Sequence, residues 1–417
     1  MNRICFILFS SLLLFACGCS QTAPAEPNPM LCTVPSDAVA AVLNDKLEDI
    51  LDSYVDSTDV LKKLNYGSLL HSRAALAFCF TSSLTPVLTV ELSSEVEEDL
   101  IERVVGTASS LKLSSRYVKA GTAGKEFGVL ALSPSETLVA SVERHLKEGV
   151  SIMDAQHFPR MLEGPVNLDN AIYLKNSGAI RWLRKNALSG MFTNREIADF
   201  LRNFSEWMVL APGTDGSMEF YPSAVDSPAF YWKVLSSISK NNDVKILDIV
   251  PSDADFVLSE STGNGALRPL YEGFLDAMVR LDRYRRTLDD FSKGSGRKAL
   301  DIEKELGVRE VALVRWEGRK ISLLRCDRES KDTLVQENPF RGVVPALYGK
   351  AFLVDDGWMC LKGRWRAFGN KEDMEAFAGV RTEEVEEKNY SFYLRKEETC
   401  VSRDNKGIRI WNLNSGL

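Results

Sequence analysis

Histidine is scarce in this sequence, and its cysteines are not spaced as metal ligands. The 417 residues include three histidines, His71, His145 and His157, and none of the eight cysteines forms a C-x-x-C pair. Cys and His ligands of zinc and related metals occur at short, clustered spacings. The sequence therefore predicts neither a metal site nor a cofactor.

The common catalytic and phosphate-binding motifs are also missing. The chain has no G-x-S-x-G elbow, no Walker A loop and no G-x-G-x-x-G fingerprint. The glycine pairs at 263–265 and 294–296 are typical of loops, and His145, next to Arg144 on an amphipathic segment, is expected to be solvated. Triads and carboxylate pairs are recognised by geometry, which a sequence does not give. We therefore assign no catalytic residue and expect a non-enzymatic protein.

The chain has no excess of positive charge. A formal net charge of -7 and a pI near 5.4 supply no general attraction to phosphate backbones, so nucleic acid is not an expected partner. The densest basic stretch lies between Arg280 and Arg286. Apolar residues recur around it every three or four positions from Leu267 to Leu288, which predicts one amphipathic helix with its arginines facing solvent.

No apolar run is long enough to span a membrane, which takes about 20 residues. Within residues 1–16, Arg3 precedes the two apolar runs Ile4–Phe9 and Leu12–Ala16. A short cationic start followed by such runs is typical of a secretory signal peptide. We expect residues 1–16 to be removed on export.

The end of this segment, Leu14-Phe15-Ala16-Cys17, resembles the lipobox of bacterial lipoproteins. The resemblance implies that the Cys17 thiol receives a diacylglyceryl group and that further acylation anchors the protein to a membrane. Ala16-Cys17-Gly18-Cys19 provides a second register, with Cys19 as the alternative lipidated residue. Residues 17–33 are rich in proline and lack large hydrophobic side chains over Ser20–Pro29, which predicts a flexible tether.

A repeated pentapeptide indicates how the body of the chain is organised. Val34-Pro35-Ser36-Asp37-Ala38 recurs as Val250-Pro251-Ser252-Asp253-Ala254, each time before an apolar run and a helical pattern. A proline that precedes a strand, with Ser-Asp behind it, marks the start of a strand at a sheet. The sequence therefore predicts two repeats, 34–249 and 250–417, the second one shorter.

Paired elements follow the pentapeptide in the same order in both segments. Strand-like runs, hairpin turns and helix caps predict a strand, a helical region, a hairpin, further strands, a capped helix and a final hairpin. The first copy is represented by Val39–Leu43, Ala74–Phe80, Val87–Leu92, Tyr117–Lys119, Phe127–Leu132, a helix capped by Ser133, Ala171–Leu174, Trp207–Leu210 and Met218–Tyr221. The second is represented by Phe256–Leu258, Val311–Trp316, Ile321–Leu324, Ala351–Val354, Trp358–Leu361, Trp365–Phe368, a helix capped by Asn370, Tyr390–Leu394 and Cys400–Leu413. An insertion in the helical region near 260–305 accounts for the change in spacing.

Hairpins mixed with helices favour an α+β fold of two tandem, related halves, each with a mainly antiparallel sheet flanked by helices. The arrangement resembles a set of uncharacterised envelope lipoproteins with tandem α+β halves. The resemblance implies location and shape but no reaction. We expect a lipid-anchored envelope protein that acts as a binding or scaffolding module for an unknown envelope protein or ligand. The alternative is a carrier or receptor for a small apolar or glycan ligand in the cleft between the halves.

Two groups of residues have more than one interpretation. Export permits disulfides such as Cys32 with Cys79 or Cys360 with Cys400, but pairing does not follow from spacing. Aromatic residues could line a ligand groove, although their alternation on predicted strands favours packing in the core. These aromatic residues are Phe220, Tyr221, Tyr231, Trp232, Trp358, Trp365 and Phe368.

Overall fold

The structure is a computed structural model of the chain. The model describes residues 28–55, 59–92, 98–122, 125–161, 171–178, 202–212, 217–223, 225–237, 243–251, 253–380, 390–396, 399–403 and 408–412. The signal segment, Cys17 and Cys19 lie outside the described residues. The sequence pattern also predicts a capping box at Ser94, a mostly helical segment at Ile180–Phe204 and turns at 215–216 and 405–407, and all but the end of the helical segment lie outside the described residues. Contacts divide the chain into two compact units, Met1–Val225 and Asp226–Leu417.

The first unit is an antiparallel sheet with helices on both faces. Its elements are β1 (Ala40–Asn44), α1 (Leu47–Tyr54), β2 (Ala74–Phe80), β3 (Leu84–Leu92), α2 (Glu98–Ser110), β4 (Ser114–Thr122), β5 (Lys125–Ser133), α3 (Glu136–Glu148), β6 (Ile172–Lys175), β7 (Trp207–Pro212) and β8 (Met218–Pro222). The strand order is β8-β7-β6-β1-β2-β3-β5-β4. The first strand thus lies inside the sheet, between β2 and β6.

Alternating side chains of these strands build two hydrophobic layers, because successive residues of a strand point to opposite faces. On one face, Leu76 of β2 and Leu88 of β3 pack with Ile50 of α1 and Val104 of α2. On the other, alternate strand residues pack with α3 and with the 3-10 helix Pro29–Thr33. Both faces of this sheet are therefore covered.

The second unit repeats this plan. Its elements are α4 (Tyr231–Ser236), β9 (Phe256–Ser261), α5 (Arg268–Ala277), α6 (Leu281–Ser295), α7 (Ala299–Leu306), β10 (Val308–Trp316), β11 (Arg319–Glu337), α8 (Val343–Tyr348), β12 (Trp358–Gly369), α9 (Lys371–Gly379), β13 (Phe392–Lys396), β14 (Thr399–Arg403) and β15 (Ile408–Asn412). The strand order is β12-β11-β10-β9-β13-β14-β15, and the strand pairs are antiparallel. The protein is therefore α+β with two tandem, related halves, as the sequence predicted.

The halves agree in strand register as well as in order. Ala40 pairs with Phe78 in the first half, and Phe256 pairs with Arg315 in the second. Ala40 and Phe256 follow their repeated prolines by the same number of residues. This agreement makes Asn44, at the end of β1, the positional counterpart of Glu260 in β9.

The repeated pentapeptide forms the same turn at the start of both halves. The Ala38 amide donates to the Pro35 carbonyl at 3.0 Å, and the Ala254 amide donates to the Pro251 carbonyl at 3.1 Å. Each turn is followed by a strand that enters the sheet. The pentapeptide therefore has an architectural role. The exact repeat boundaries predicted at 34, 249 and 417 stay a prediction.

Several local predictions were wrong for identifiable reasons. The helix expected from Leu267 to Leu288 is broken into α5 and α6 at Val279, which adopts a positive φ of 56°. The strand expected at Ala351–Val354 is instead a 3-10 turn, Lys350–Phe352, followed by extended chain, because Gly349 with φ 98° ends α8 and redirects the backbone. Trp358–Leu361 and Trp365–Phe368 are parts of the single strand β12.

The helix caps also differ in part. Asn370 caps α9 as predicted, accepting from the Asp373 amide at 2.8 Å. The cap of α3 is Ser135, whereas Ser133 accepts from the Ser135 amide and lies two residues too early. Asn44 accepts from the Lys46 amide before α1 begins, without capping that helix.

The described cysteines are free thiols, so neither proposed disulfide is present in this structure. They are Cys32, Cys79, Cys326, Cys360 and Cys400. Burial raises the pKa of Cys32 to about 11 and that of Cys79 to about 12. Such thiols are poor nucleophiles because the thiolate is the reactive form. Among the described helices, none has the length and apolarity needed to cross a membrane.

Candidate functional site

A cavity of about 110 Å³ lies within the second half, on the face of β9 and β10 that is covered by α4, α5, α7 and α8. Its lining combines charged groups, tyrosines and aliphatic side chains. Residues that line it include Tyr231, Glu260, Arg268, Tyr271, Glu303, Val311, Leu347, Tyr348 and Phe352. Polar groups in an otherwise apolar pocket are typical of small-molecule sites.

A tight loop between β9 and α5 forms one side of the cavity. The Thr262 hydroxyl donates to the Val308 carbonyl at 2.7 Å, and the Gly263 amide donates to the Ser261 hydroxyl at 3.3 Å. Gly263 adopts a φ of 60°, and a Cβ there would lie 2.7 Å from Cγ of Leu267. Glycine is therefore required where the chain turns from the sheet into α5.

Arg268 lies in the first turn of α5, where the helix dipole disfavours a positive charge. Glu303 of α7 compensates, since its Oε2 accepts from the Arg268 guanidinium, while Oε1 accepts from the Tyr348 hydroxyl at 2.6 Å. Arg268 also donates to the Tyr284 hydroxyl. The chain Tyr284, Arg268, Glu303, Tyr348 thus links α6, α5, α7 and α8 into one wall of the cavity.

Glu260 of β9 forms the opposite polar group of the cavity. Its Oε1 accepts from the Tyr231 hydroxyl of α4 at 2.5 Å. Burial raises the pKa of the Glu260 carboxyl, and the Tyr231 hydrogen bond and the Arg403 charge only partly offset this effect. Glu260 therefore holds a proton more readily than an ordinary carboxyl.

The cavity tyrosines are held in their neutral form. Burial and then the charge of Glu303 raise the pKa of Tyr348 well above its ordinary value, and burial followed by Glu260 does the same for Tyr231. Burial is the main cause that raises the pKa of Tyr271 to about 12. These hydroxyls can donate hydrogen bonds across the neutral pH range but are poorly suited to act as bases.

The first half differs at Asn44, the positional counterpart of Glu260. After Asn44, α1 begins almost at once, and its Leu47 and Ile50 are fully buried against the sheet. In the second half, the Gly263–Gly265 turn and helices α5, α6 and α7 occupy the chain between β9 and β10. The cavity therefore belongs to the segment in which the sequence predicted an insertion.

The candidate residues predicted from the sequence lie in different parts of the structure. Of the aromatic candidates, Tyr231 lines the cavity, whereas Trp365 and Phe368 are buried in the core, as packing predicts. The Trp232 ring lies under the Arg403 guanidinium at 5.3 Å. His145 is half-buried, contrary to the expectation that it is solvated.

The remaining histidines do not build a metal centre. His157 bonds through Nδ1 to Glu206 in the first half, and His71 is exposed. Over the described part of the chain, no three His, Cys, Asp or Glu side chains are grouped so as to hold a metal ion.

Sequence reasoning missed the charged residues of the cavity. Glu260, Arg268 and Glu303 were hidden because scattered Asp, Glu and Arg residues carry no spacing signal. One signal was available: within the repeat, Glu260 follows its proline at the distance at which the first half has the uncharged Asn44. A charged residue inside a predicted strand, beside an insertion, is the kind of local inconsistency that indicates a site.

Comparisons with known proteins found no match, so the functional inference rests on the geometry of the cavity. No protein-family model matches the chain, and no curated protein or solved structure matches it either.

Proposed function

We propose that the chain is a non-enzymatic, lipid-anchored protein of the bacterial cell envelope that acts as a binding module through its second half. The observation that carries the binding function is the cavity between the β9–β10 face and helices α5, α7 and α8. Its polar groups are fixed by hydrogen bonds among Arg268, Glu303 and Tyr348, so that the site is largely pre-formed. Preorganised polar groups lower the entropic cost of binding a ligand.

The anchoring part of the proposal rests on Leu14-Phe15-Ala16-Cys17 and on the proline-rich tether that follows. A protein tethered in this way would face the periplasm and sample ligands close to the membrane. The carrier or receptor alternative is favoured by the cavity in one specific respect, because a ligand can be held within the second half alone. The predicted cleft between the halves stays a prediction.

Mass spectrometry of the protein purified from its own host tests anchoring. We expect the mature N-terminal peptide to begin at Cys17 and to carry a diacylglyceryl group on its sulfur. A modified peptide that begins at Cys19 would select the alternative register. An N-terminus with neither cysteine modified would contradict lipid anchoring.

Native mass spectrometry of the same preparation tests the binding function. We expect a small molecule to copurify and to be lost when Val311, which lines the cavity, is replaced by phenylalanine. The melting temperature of that variant shows whether it is folded. A copurifying protein with no small molecule would support the scaffolding interpretation over a ligand-binding one.

A further inference from the structure

The chemistry of the cavity restricts which ligands it can accept, and this inference rests on the binding function proposed above. Its lining includes two carboxylates, Glu260 and Glu303, but one guanidinium, Arg268. Arg268 is committed to Glu303 and Tyr284. The lining therefore carries a net negative charge when Glu260 is ionised, although the nearby Arg403, outside the lining, partly offsets the charge of Glu260.

The hydroxyl protons of two of the three tyrosines in the lining, Tyr231 and Tyr348, are already used. Tyr231 donates to Glu260, and Tyr348 donates to Glu303. A tyrosine hydroxyl has one proton, so what these groups can still provide to a ligand is acceptor lone pairs. A ligand that donates hydrogen bonds fits this lining better than one that only accepts them.

The rest of the lining favours a compact apolar body on the ligand. Leu347, Val311 and Phe352 are buried side chains that reach the cavity. Rings of Tyr271 and Tyr231 also line it, and aromatic faces attract cations that have lost part of their hydration. An anionic ligand would meet the Glu260 and Glu303 carboxylates, while the one guanidinium of the lining, that of Arg268, is already bonded to Glu303.

The size of the cavity sets an upper limit on the enclosed group. A dry engineered cavity of about 150 Å³ accommodates benzene, which has six heavy atoms. The cavity described here, at about 110 Å³, is smaller. It has room for a group of roughly five heavy atoms, and because the cavity is partly open to solvent, the rest of a larger ligand can extend outside it.

We propose that the cavity binds a small alkylammonium group, with the ammonium against the Glu260 carboxylate and its alkyl part against Val311, Leu347 and Phe352. A free amine and the ammonium head of a larger molecule share this chemistry. A bound ammonium stabilises the ionised form of the half-buried Glu260 carboxyl. The first half lacks this pairing group, because Asn44 stands at the counterpart of Glu260.

Ligand-observed saturation-transfer NMR on the full chain in nonionic detergent tests the proposal, with empty micelles as the blank. The probes are tert-butylamine, its neutral analogue tert-butanol and the anion pivalate. We expect saturation transfer to the ammonium form with an affinity at least ten-fold above that of the alcohol, and no transfer to pivalate. Glu260→Gln should weaken amine binding by about ten-fold or more, the size of a lost charge-assisted hydrogen bond.

Glu375→Gln is the matched control, since Glu375 is an exposed residue of α9 paired with Lys371 and outside the cavity. It should leave amine binding unchanged. Equal binding of amine and alcohol, or amine binding unaffected by Glu260→Gln, would overturn the ammonium proposal. If tert-butanol binds at least as tightly as the amine and Val311→Phe abolishes that binding, the cavity is a binding site but the proposed cationic ligand is wrong. If no probe binds and no small molecule copurifies with the protein, the proposed binding function and the proposed ammonium ligand are both wrong.

Discussion

The two halves share a sheet and differ in what covers one of its faces. In the first half, α1 follows β1 directly, and Leu47 and Ile50 fill the space above the strands. In the second, α5, α6 and α7 follow β9, and the charged groups Glu260, Arg268 and Glu303 surround a cavity. A repeated scaffold can thus be stable in both copies while only one copy carries a candidate site.

The difference also lies in how tightly the covering helices are packed. Three residues of the short helix α1 are buried, whereas none of α6 is, although Leu288 and Phe291 pack partly against the core. Helices that bury little apolar surface open at low free-energy cost. We infer that α6 opens more readily than α1.

The largest expected effect comes from truncating an apolar side chain in one helix of each half. Ile50→Ala removes a fully buried side chain from the first half and should lower the free energy of unfolding by about 2–5 kcal/mol. Leu288→Ala, in the loosely packed α6, should cost about 1 kcal/mol because less apolar surface is lost. Chemical denaturation of both variants measures the difference, and equal losses would contradict the contrast in packing.

The next effect compares an ion pair from each half. Arg268→Met leaves the Glu303 carboxylate, whose side chain is 10% exposed, without its cation and should destabilise the protein by about 1–3 kcal/mol. The control is Arg73→Met in the first half, where Arg73 is 38% exposed and pairs with Glu91. Its loss should cost at most about 1 kcal/mol. If thermal unfolding shows the same shift in melting temperature for both variants, the inference that the Arg268 network is buried is wrong.

A smaller effect separates two glycines of the loop that leads into α5. Both have positive φ, but a Cβ at Gly263 would also meet Leu267 at 2.7 Å, while a Cβ at Gly265 meets nothing within 4 Å. Gly265→Ala should therefore cost about 1 kcal/mol and Gly263→Ala about 2 kcal/mol. The reverse order in denaturation experiments would argue against the loop geometry.

The smallest effect is the pH dependence contributed by Glu260. Burial raises the pKa of its carboxyl in the folded state, so the folded protein holds this proton more tightly than the unfolded chain. The stabilising contribution is therefore complete below the unfolded pKa and is lost as pH rises through the folded pKa. Glu260→Gln should flatten the fall in stability over that interval. An unchanged slope, or stability that rises with pH because of Glu260, would contradict this prediction.

The sequence was sufficient to predict the fold because the fold depends on local patterns. A continuous apolar run placed β2, and the repeated pentapeptide placed the starts of β1 and β9. These signals are carried by neighbouring residues, so a single sequence contains them.

The candidate site was not predictable in the same way. Glu260 and Glu303 come from a strand and a helix separated by an insertion, and the pairing of Arg268 with Glu303 is set by how α5 packs near α7. The break at Val279 was hidden as well, because the apolar spacing continues across it and a positive φ at a β-branched residue is rare. Such features depend on tertiary packing, which local spacing does not encode.

Differential hydrogen exchange of the full chain with and without tert-butylamine tests the central comparison most directly. We expect added protection in β9, α5 and α8 of the second half, with no change in β1 and α1 of the first. Protection in the first half, or none in either half at saturating amine, would contradict the claim that only the second copy carries the binding site.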